Sequence, residues 1–220
     1  MEETGSTTLV SLNGDDRVTR ILLSDGQELE LATGSLPPAL PVPGEVISPE
    51  LVRELVLASE RKTVANLVFK MLDRRLRTRR DMMRKLSDKG FDPEAVSVVL
   101  DQFEEHGLHS DRRFAEAWCR DTLRTKAVGC RFLESKLRSK GIASSLAAVV
   151  SRECLDPETE STLARRAAVT WWRKQRGDHD DPKTIAKGAR FLASRGFPTA
   201  GTMSLIRDTV PSSDDAGDDF

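Results

Sequence analysis

The sequence has few aromatic residues, few cysteines and no long apolar run. Aromatic residues make up 5% of the 220 residues and charged residues 31%, a balance typical of small helical units with thin cores. No apolar run reaches the roughly 18 residues that a membrane span needs, and the first residues lack a basic start followed by an apolar block. We therefore expect a soluble, cytoplasmic protein that binds no membrane.

The cysteines and histidines are too scattered for a metal site. Cys119, Cys130 and Cys154 show no CxxC spacing, and each falls within a helical pattern. We interpret them as small buried thiols in a reducing cytoplasm. The histidines lie in polar, loop-like segments, at His106, His109 and His179. We therefore predict neither a metal nor another cofactor.

The sequence also lacks catalytic motifs. No Gly-rich phosphate loop follows a strand, and neither HExxH nor GxSxG occurs. No pair of carboxylates stands out from ordinary surface charge. The sequence therefore indicates a binding protein rather than an enzyme.

A short pattern of Leu, two residues, a basic residue, Gly and an apolar residue occurs three times, within residues 85–91, 136–142 and 191–197. Its glycines are 51 and 55 residues apart, a period that suits three helices with short joints. Gly90 and Gly107 each fit the position after a last helical turn, where a residue without a side chain takes the left-handed conformation cheaply. The repeat predicts three-helix modules.

Capping residues divide the helices independently of the repeat. The predicted N-caps are Ser48, Thr78, Asp92, Ser110 or Asp111, Asp156 and Asp181. The predicted helices run over about 63–75, 79–89 and 93–106, then 111–126, 130–140 and 145–155, then 157–176, 182–195 and 200–209. A leading helix starts after Ser48, and its charged residues 59–62 indicate a break or a bend. Gly188 and Gly201 fall inside predicted helices and should weaken them.

Residues 8–33 alternate apolar and polar side chains, with turn signals at Asn13-Gly14 and at Ser24-Asp25-Gly26. This pattern predicts a two- or three-stranded antiparallel meander, which should pack on the helix that follows it. Four prolines make residues 35–47 an extended connector. The expected fold is mainly α, with tandem three-helix repeats in an elongated curved array and a small N-terminal antiparallel β meander.

The expected domains follow from these elements. They are the meander and connector (1–47), a first three-helix unit with its leading helix (48–109), a second unit (110–155), a third unit (156–210) and a disordered acidic tail (211–220). We expect the chain to be a monomer.

Positive charge concentrates in the middle of the chain. Residues 61–140 contain 20 Lys and Arg against 12 Asp and Glu, although the whole chain has a net charge of −1. Acidic residues at helical i,i+4 spacing are sparse there, and unpaired cations repel one another, so the excess suggests an anionic partner. The partner surface could be a phosphate backbone or acidic protein loops. The candidate basic face comprises Arg74, Arg75, Arg77, Arg79, Arg80, Lys85, Arg112, Arg113, Arg124, Lys126, Arg131, Lys136, Arg138 and Lys140.

The tryptophans raise the question of base stacking. Trp118 shares an apolar stripe with Phe114 and is interpreted as core. Trp171 and Trp172 are adjacent, so we expect that they cannot both face inward and that one is partly exposed or lies at a contact between units. A nucleobase could stack on that one.

The central part of the chain resembles the RecX family of regulatory proteins. The matching residues are Lys89-Gly90-Phe91, Gly107-Leu108, Asp111, Arg113-Phe114-Ala115 and, farther on, Gly129, Leu133, Leu137 and Lys140-Gly141-Ile142. The resemblance implies a protein that binds RecA recombinase and its nucleoprotein filament and inhibits RecA's ATPase and strand exchange. An alternative is a sequence-nonspecific protein that binds single- or double-stranded DNA without a recombinase.

Overall fold

We describe residues 7–175 and 181–210 of a computed structural model. In this part of the chain, helices follow one N-terminal antiparallel sheet, which confirms the predicted mainly α fold with a small β meander. The chain divides into two compact units, Met1–His109 and Ser110–Phe220. The predicted acidic tail (211–220) and His179 lie outside the described residues.

The first unit begins with a meander of β1 (Leu9–Gly14), β2 (Val18–Leu23) and β3 (Glu28–Ala32), paired in that order. The second turn lies where it was predicted, and Gly26 has a φ of 84° there. The first turn lies at residues 15–17, after the predicted Asn13-Gly14, because Gly14 still pairs with Thr19. The Asp15 carboxylate closes this turn by accepting hydrogen bonds from the backbone N–H groups of Arg17 and Val18.

The predicted connector is not extended throughout, because it has turns at residues 38–39 and 43–44 and Val46 forms a bridge with Thr8. Helix α1 (Pro49–Arg74) follows it and runs without a break through residues 59–62. The sheet explains why the charged patch does not interrupt the helix. The Ser59 hydroxyl accepts a hydrogen bond from the Glu30 backbone N–H, and Lys62 binds the Glu30 carboxylate. The patch therefore faces the edge strand β3. The sheet and the first half of α1 bury a common core that includes Leu9, Ile21, Leu23, Leu31 and Leu55.

The second half of α1 forms a separate core with α2 (Arg79–Ser87) and α3 (Pro93–Glu105). Its buried residues are Val64, Val68, Met82, Leu86, Val96, Val99, Leu100 and Phe103. The link after α3 was predicted to be a polar, loop-like segment. Its His109 is nevertheless buried, with 4% of its surface exposed. The three helices form a compact module that displays the cations of α1 and α2.

The second unit consists of six helices in its described part. They are α4 (Asp111–Thr125), α5 (Cys130–Ser139), α6 (Ser144–Cys154), α7 (Pro157–Trp172), α8 (Pro182–Ser194) and α9 (Thr202–Asp208). One hydrophobic core joins all six, since buried residues such as Cys119, Leu137, Val150, Trp172 and Ile206 belong to the same cluster. None of the helices in residues 7–175 and 181–210 is long and apolar enough to cross a membrane.

The predicted N-caps are confirmed by their hydrogen bonds. Ser110, rather than Asp111, caps α4. The side chains of the other predicted caps, Ser48, Thr78, Asp92, Asp156 and Asp181, each accept a bond from a backbone N–H in the first turn of their helix. These bonds satisfy donors that have no partner within the helix.

The repeated glycines end helices in one common geometry. Gly90, Gly141 and Gly196 have φ values of 89°, 95° and 82°, and Gly107 has 67°. Gly201 also has a positive φ, 83°, and it precedes α9 instead of lying inside it. The predicted start of that helix at residue 200 was therefore wrong, because a left-handed residue cannot continue an α-helix.

Gly196 also holds two parts of the second unit together. The backbone carbonyl of the preceding residue, Arg195, accepts a hydrogen bond from the Gly129 backbone N–H at 2.9 Å. A Cβ at Gly196 would lie 2.2 Å from the Phe132 backbone nitrogen, and a Cβ at Gly129 would lie 2.5 Å from the Gly196 carbonyl oxygen. The start of α5 therefore packs directly against the end of α8, at a distance that only glycine allows.

The expectation that Trp171 and Trp172 could not both face inward was wrong. They are 9% and 1% exposed, because α8 and α9 both pack against this end of α7. The Trp172 indole donates a hydrogen bond to the Ile206 carbonyl at 2.9 Å. A Cβ at Gly188 would come within 2.9 Å of the Trp171 ring. Gly188 is thus required for helix packing, and neither tryptophan offers a free face for base stacking.

The contact at Gly196 predicts a large loss of stability on substitution. Gly196→Ala adds a backbone clash to the strain of a positive φ, whereas Gly201→Ala adds the strain alone, since the nearest atom to its Cβ lies 3.9 Å away. We expect the free energy of unfolding to fall by about 3 kcal/mol for Gly196→Ala and about 1 kcal/mol for Gly201→Ala. Urea titration followed by tryptophan fluorescence measures this, because Trp118, Trp171 and Trp172 all lie in the second unit. Equal losses would contradict the proposed packing role.

The cap of α7 predicts a pH dependence of stability. Hydrogen bonds from the side chain and backbone of Thr159 hold the pKa of the Asp156 carboxyl below its ordinary value. The stabilisation is therefore complete above the pKa of the unfolded chain and is lost as the pH falls through the lower pKa of the folded state. Asp156→Asn keeps a capping oxygen without this titration. Its free energy of unfolding should fall less steeply on acidification than that of the wild type, and equal slopes would contradict the assignment.

Candidate nucleic-acid interface

The cations of the first unit fall into two groups. Arg77 donates to Asp81 at 2.7 Å and its side chain is only 12% exposed. Arg79 reaches from α2 to α3, where it pairs with Asp101 at 2.8 Å and donates to the Ser97 hydroxyl at 2.9 Å. Arg79 therefore joins α2 to α3, and Arg77 joins α2 to the end of α1 because it also donates to the Met71 carbonyl at 3.4 Å. Arg77 has its acidic partner at i,i+4 spacing, whereas the partner of Arg79 lies on another helix, where i,i+4 spacing does not reveal it.

The remaining predicted cations of the first unit are Arg74, Arg75, Arg80 and Lys85. Arg74, Arg75 and Arg80 are exposed and Lys85 is half-buried. Within residues 7–175 and 181–210, none of the four has a carboxylate at ion-pairing distance. They lie at the end of α1, in the link after it, and along α2. This group can accept an anionic partner without breaking an existing ion pair.

Asp81 shows how local pairing limits the basic face. Burial raises the pKa of its carboxyl, but hydrogen bonds from Arg77 and Arg84 more than offset this and hold the pKa below its ordinary value. Arg84 also lies 3.8 Å from Asp88. Asp81 is therefore an anion at neutral pH, and it neutralises part of the charge that α2 displays.

The cations of the second unit divide in a similar way. Arg112 pairs with Glu116 in α4 and with Glu153 in α6, and Arg124 lies 3.6 Å from Asp121. Lys136 and Lys140 lie over aromatic rings, 5.6 Å from the centroid of Phe132 and 5.3 Å from that of Trp118. Arg113 is exposed, while its neighbour Phe114 packs against the core as predicted. Lys126, Arg131 and Arg138 are exposed and have no ion pair with any described residue.

The second unit also contains a basic cleft that the sequence did not reveal. It has a volume of about 800 Å³ and lies between the α4–α5 link, α5, α7 and α8. Four cations line it: Arg124, Lys126, Arg166 and Arg195. The first two belong to the predicted basic face. Arg166 and Arg195 were missed because they lie in a segment of balanced charge, and no local spacing indicates that they line the same cleft as Lys126.

The cysteines show no sign of a reactive or metal-binding site. The pKa of the Cys119 thiol is raised to about 12, mainly by burial and secondly by the nearby Cys154 thiol. Burial also raises the pKa of Cys130 and of Cys154. Thiols with raised pKa are poor nucleophiles at neutral pH. The described residues contain no group of His, Cys, Asp and Glu that could hold a metal ion.

Arg79 and Arg80 form a matched pair for separating structural from binding cations. We expect Arg79→Ala to lower the free energy of unfolding by about 1 kcal/mol, because it removes the link between α2 and α3. Arg80→Ala should change it by less than about 0.5 kcal/mol, since Arg80 has no such link. Chemical unfolding followed by far-ultraviolet circular dichroism measures both. A larger loss for Arg80→Ala would contradict this division.

Known proteins resemble the chain in both sequence and structure. Residues 66–103 match the family model of the RecX first three-helix domain, and residues 110–150 match that of the second. Regulatory protein RecX of Corynebacterium efficiens is 32% identical over 160 residues, covering 70% of this chain and 75% of that protein. Regulatory protein RecX of Chromohalobacter salexigens is 30% identical over 141 residues, covering 64% and 89%.

Two crystal structures share the fold at 20% sequence identity. One, of regulatory protein RecX, has a TM-score of 0.72 and covers 92% of this chain and 99% of its own. The other, of RecX from Lactobacillus salivarius, has a TM-score of 0.61 and covers 69% and 97%. Both RecX domain models match in order, and relatives named as regulatory proteins align over most of their length. The chain therefore belongs to the RecX family of regulatory proteins.

Proposed function

We propose that this chain binds RecA recombinase and the RecA–DNA filament and inhibits the recombinase's ATPase and strand exchange. It acts in the cytoplasm as a monomer, by binding rather than by catalysis. Family membership supports the choice of partner. The modules at 48–109, 110–155 and 156–210 serve as the scaffold that displays its cations.

One observation carries the proposal. Seven predicted cations have neither an ion pair nor an aromatic contact with a described residue, and all seven lie in the two segments that match RecX domains: Arg74, Arg75, Arg80, Lys85, Lys126, Arg131 and Arg138. Cations left without carboxylates repel one another, and a polyanionic filament would relieve that repulsion. Binding through many separate charges needs no enclosed pocket.

A second candidate function is binding to bare DNA without a recombinase. The same seven cations favour it, because neutralising phosphates requires no protein partner. Two measurements separate the candidate functions. One is the salt dependence of binding to bare duplex and single-stranded DNA, and the other is binding to RecA filaments. Negligible binding to bare DNA with strong binding to the filament would exclude the second candidate.

Inhibition of RecA's DNA-stimulated ATPase tests the proposal. We expect the wild type to inhibit at stoichiometric concentration, and the double variant Arg80→Glu/Arg138→Glu to need a concentration about tenfold higher or more. The matched control is Arg53→Glu/Arg207→Glu, which makes the same charge change at exposed arginines outside residues 66–103 and 110–150. The control should inhibit like the wild type. Undiminished ATPase at stoichiometric excess of wild type would refute the proposal, and an equal loss in the control would show that net charge alone matters.

A further inference from the structure

The basic cleft of the second unit combines cations with aromatic rings. Phe132 and Phe191 are half-buried in its wall, beside the four lining cations. None of the described residues that line the cleft carries a carboxylate. Lys136 brings a further positive charge to its edge, since its ammonium lies 5.6 Å from the centroid of the Phe132 ring. The cleft is therefore a concave, positively charged site with apolar surfaces inside it.

The cations of the cleft remain available to a ligand. Lys126 and Arg166 are exposed and have no ion pair with a described residue. Arg124 lies 3.6 Å from Asp121, but both side chains are more than 70% exposed, so solvent weakens this pair. The three side chains come from α4, from the link after it and from α7. These side chains line one cleft only because the fold brings the three elements together.

Arg195 is held in position against the wall of the cleft. Its guanidinium donates to the Ala127 carbonyl at 3.2 Å and lies 4.8 Å from the centroid of the Phe191 ring. A guanidinium fixed on an aromatic ring keeps further N–H donors for an anion and offers a flat surface on which a base can stack. The adjoining Gly129–Gly196 contact fixes the distance between the two sides of the cleft. The site is thus preorganised.

We propose that this cleft binds a short segment of single-stranded DNA, with phosphates on Lys126, Arg166 and Arg195 and a base against the Phe191–Arg195 stack. Cationic grooves with aromatic surfaces are the usual means of holding unpaired strands. A duplex keeps its bases paired and stacked, so it offers no base to these rings. The choice of DNA as ligand rests on the proposed function, whereas the cleft lies partly on α7 and α8, outside the segments that match RecX domains.

Binding of a fluorescent oligothymidylate of about ten nucleotides, measured by anisotropy, tests the proposal. We expect Arg166→Glu and Lys126→Glu each to weaken binding about tenfold. Arg165→Glu is the matched control, because Arg165 is the exposed neighbour of Arg166 in α7 and does not line the cleft. It should bind within about twofold of the wild type. The neutral variant Arg166→Gln should reduce the slope of log affinity against log salt by about 1.

Several results would overturn the assignment. Equal losses in the Arg165 and Arg166 variants would mean that overall charge, and not the cleft, binds the strand. Displacement of the oligonucleotide by a lower concentration of an aspartate-rich peptide of equal charge would make the cleft a peptide site. Lys126 and Arg166 lie on different elements, and both are proposed to bind phosphates of the same strand. Wild-type affinity in a correctly folded Lys126→Glu or Arg166→Glu variant would therefore also contradict the assignment. Tryptophan fluorescence confirms the folding of each variant.

The oligonucleotide assay contains no recombinase, so it can fail separately from the proposed function. If the wild type inhibits RecA and the cleft variants bind the oligonucleotide normally, the cleft assignment is wrong and the proposed function stands. If the oligonucleotide binds through the cleft but RecA retains full ATPase, the proposed function is wrong and the cleft assignment stands.

Discussion

The hydrogen bond on which the three-helix groups depend joins the residue after each repeated glycine to a buried leucine. Phe91, Ile142 and Phe197 donate their backbone N–H to the carbonyls of Leu86, Leu137 and Leu192, at 3.3, 3.1 and 3.2 Å. The bond requires the intervening glycine to take a positive φ, and it ends the helix there. Each leucine is fully buried, so the point at which the chain reverses is fixed to the core. This turn therefore sets the direction in which the chain continues into the third helix of each group.

The features that the sequence predicted well are those decided within about six residues. Caps such as Asp92 and Asp156 accept bonds from N–H groups two and three positions on, so their effect can be read without knowing the fold. Pairings between distant residues could not be predicted, because helical spacing identifies only neighbours on the same helix. Arg79 forms an ion pair with Asp101 on α3, and Arg112 forms one with Glu153 on α6. The burial of both Trp171 and Trp172 likewise depends on two later helices.

The cleft escaped prediction for a related reason. Residues 141–220 contain 11 Lys and Arg against 12 Asp and Glu, which suggests no electrostatic function. The folded chain uses several of those carboxylates at helix N-termini: Asp156 and Asp181 cap α7 and α8, and Glu160 accepts a bond from the Cys130 N–H at the start of α5. Cations such as Arg166 and Arg195 are then left to face the solvent or a ligand. A balanced charge count thus conceals a local imbalance that the N-caps create.

The opposite error affects the middle of the chain, where a charge count overstates the surface that a partner can use. Arg77, Arg79 and Arg112 form ion pairs with carboxylates of their own unit, so their loss would destabilise the packing of the helices. The seven predicted cations without such partners are only part of the positive charge in this region, and an anion can approach each of them without breaking an ion pair with a described residue. Under the proposed function, binding to a phosphate backbone would release counterions without the loss of an internal ion pair. In a protein with thin helical cores, this division separates the arginines that stabilise the fold from the cations that the proposed function uses.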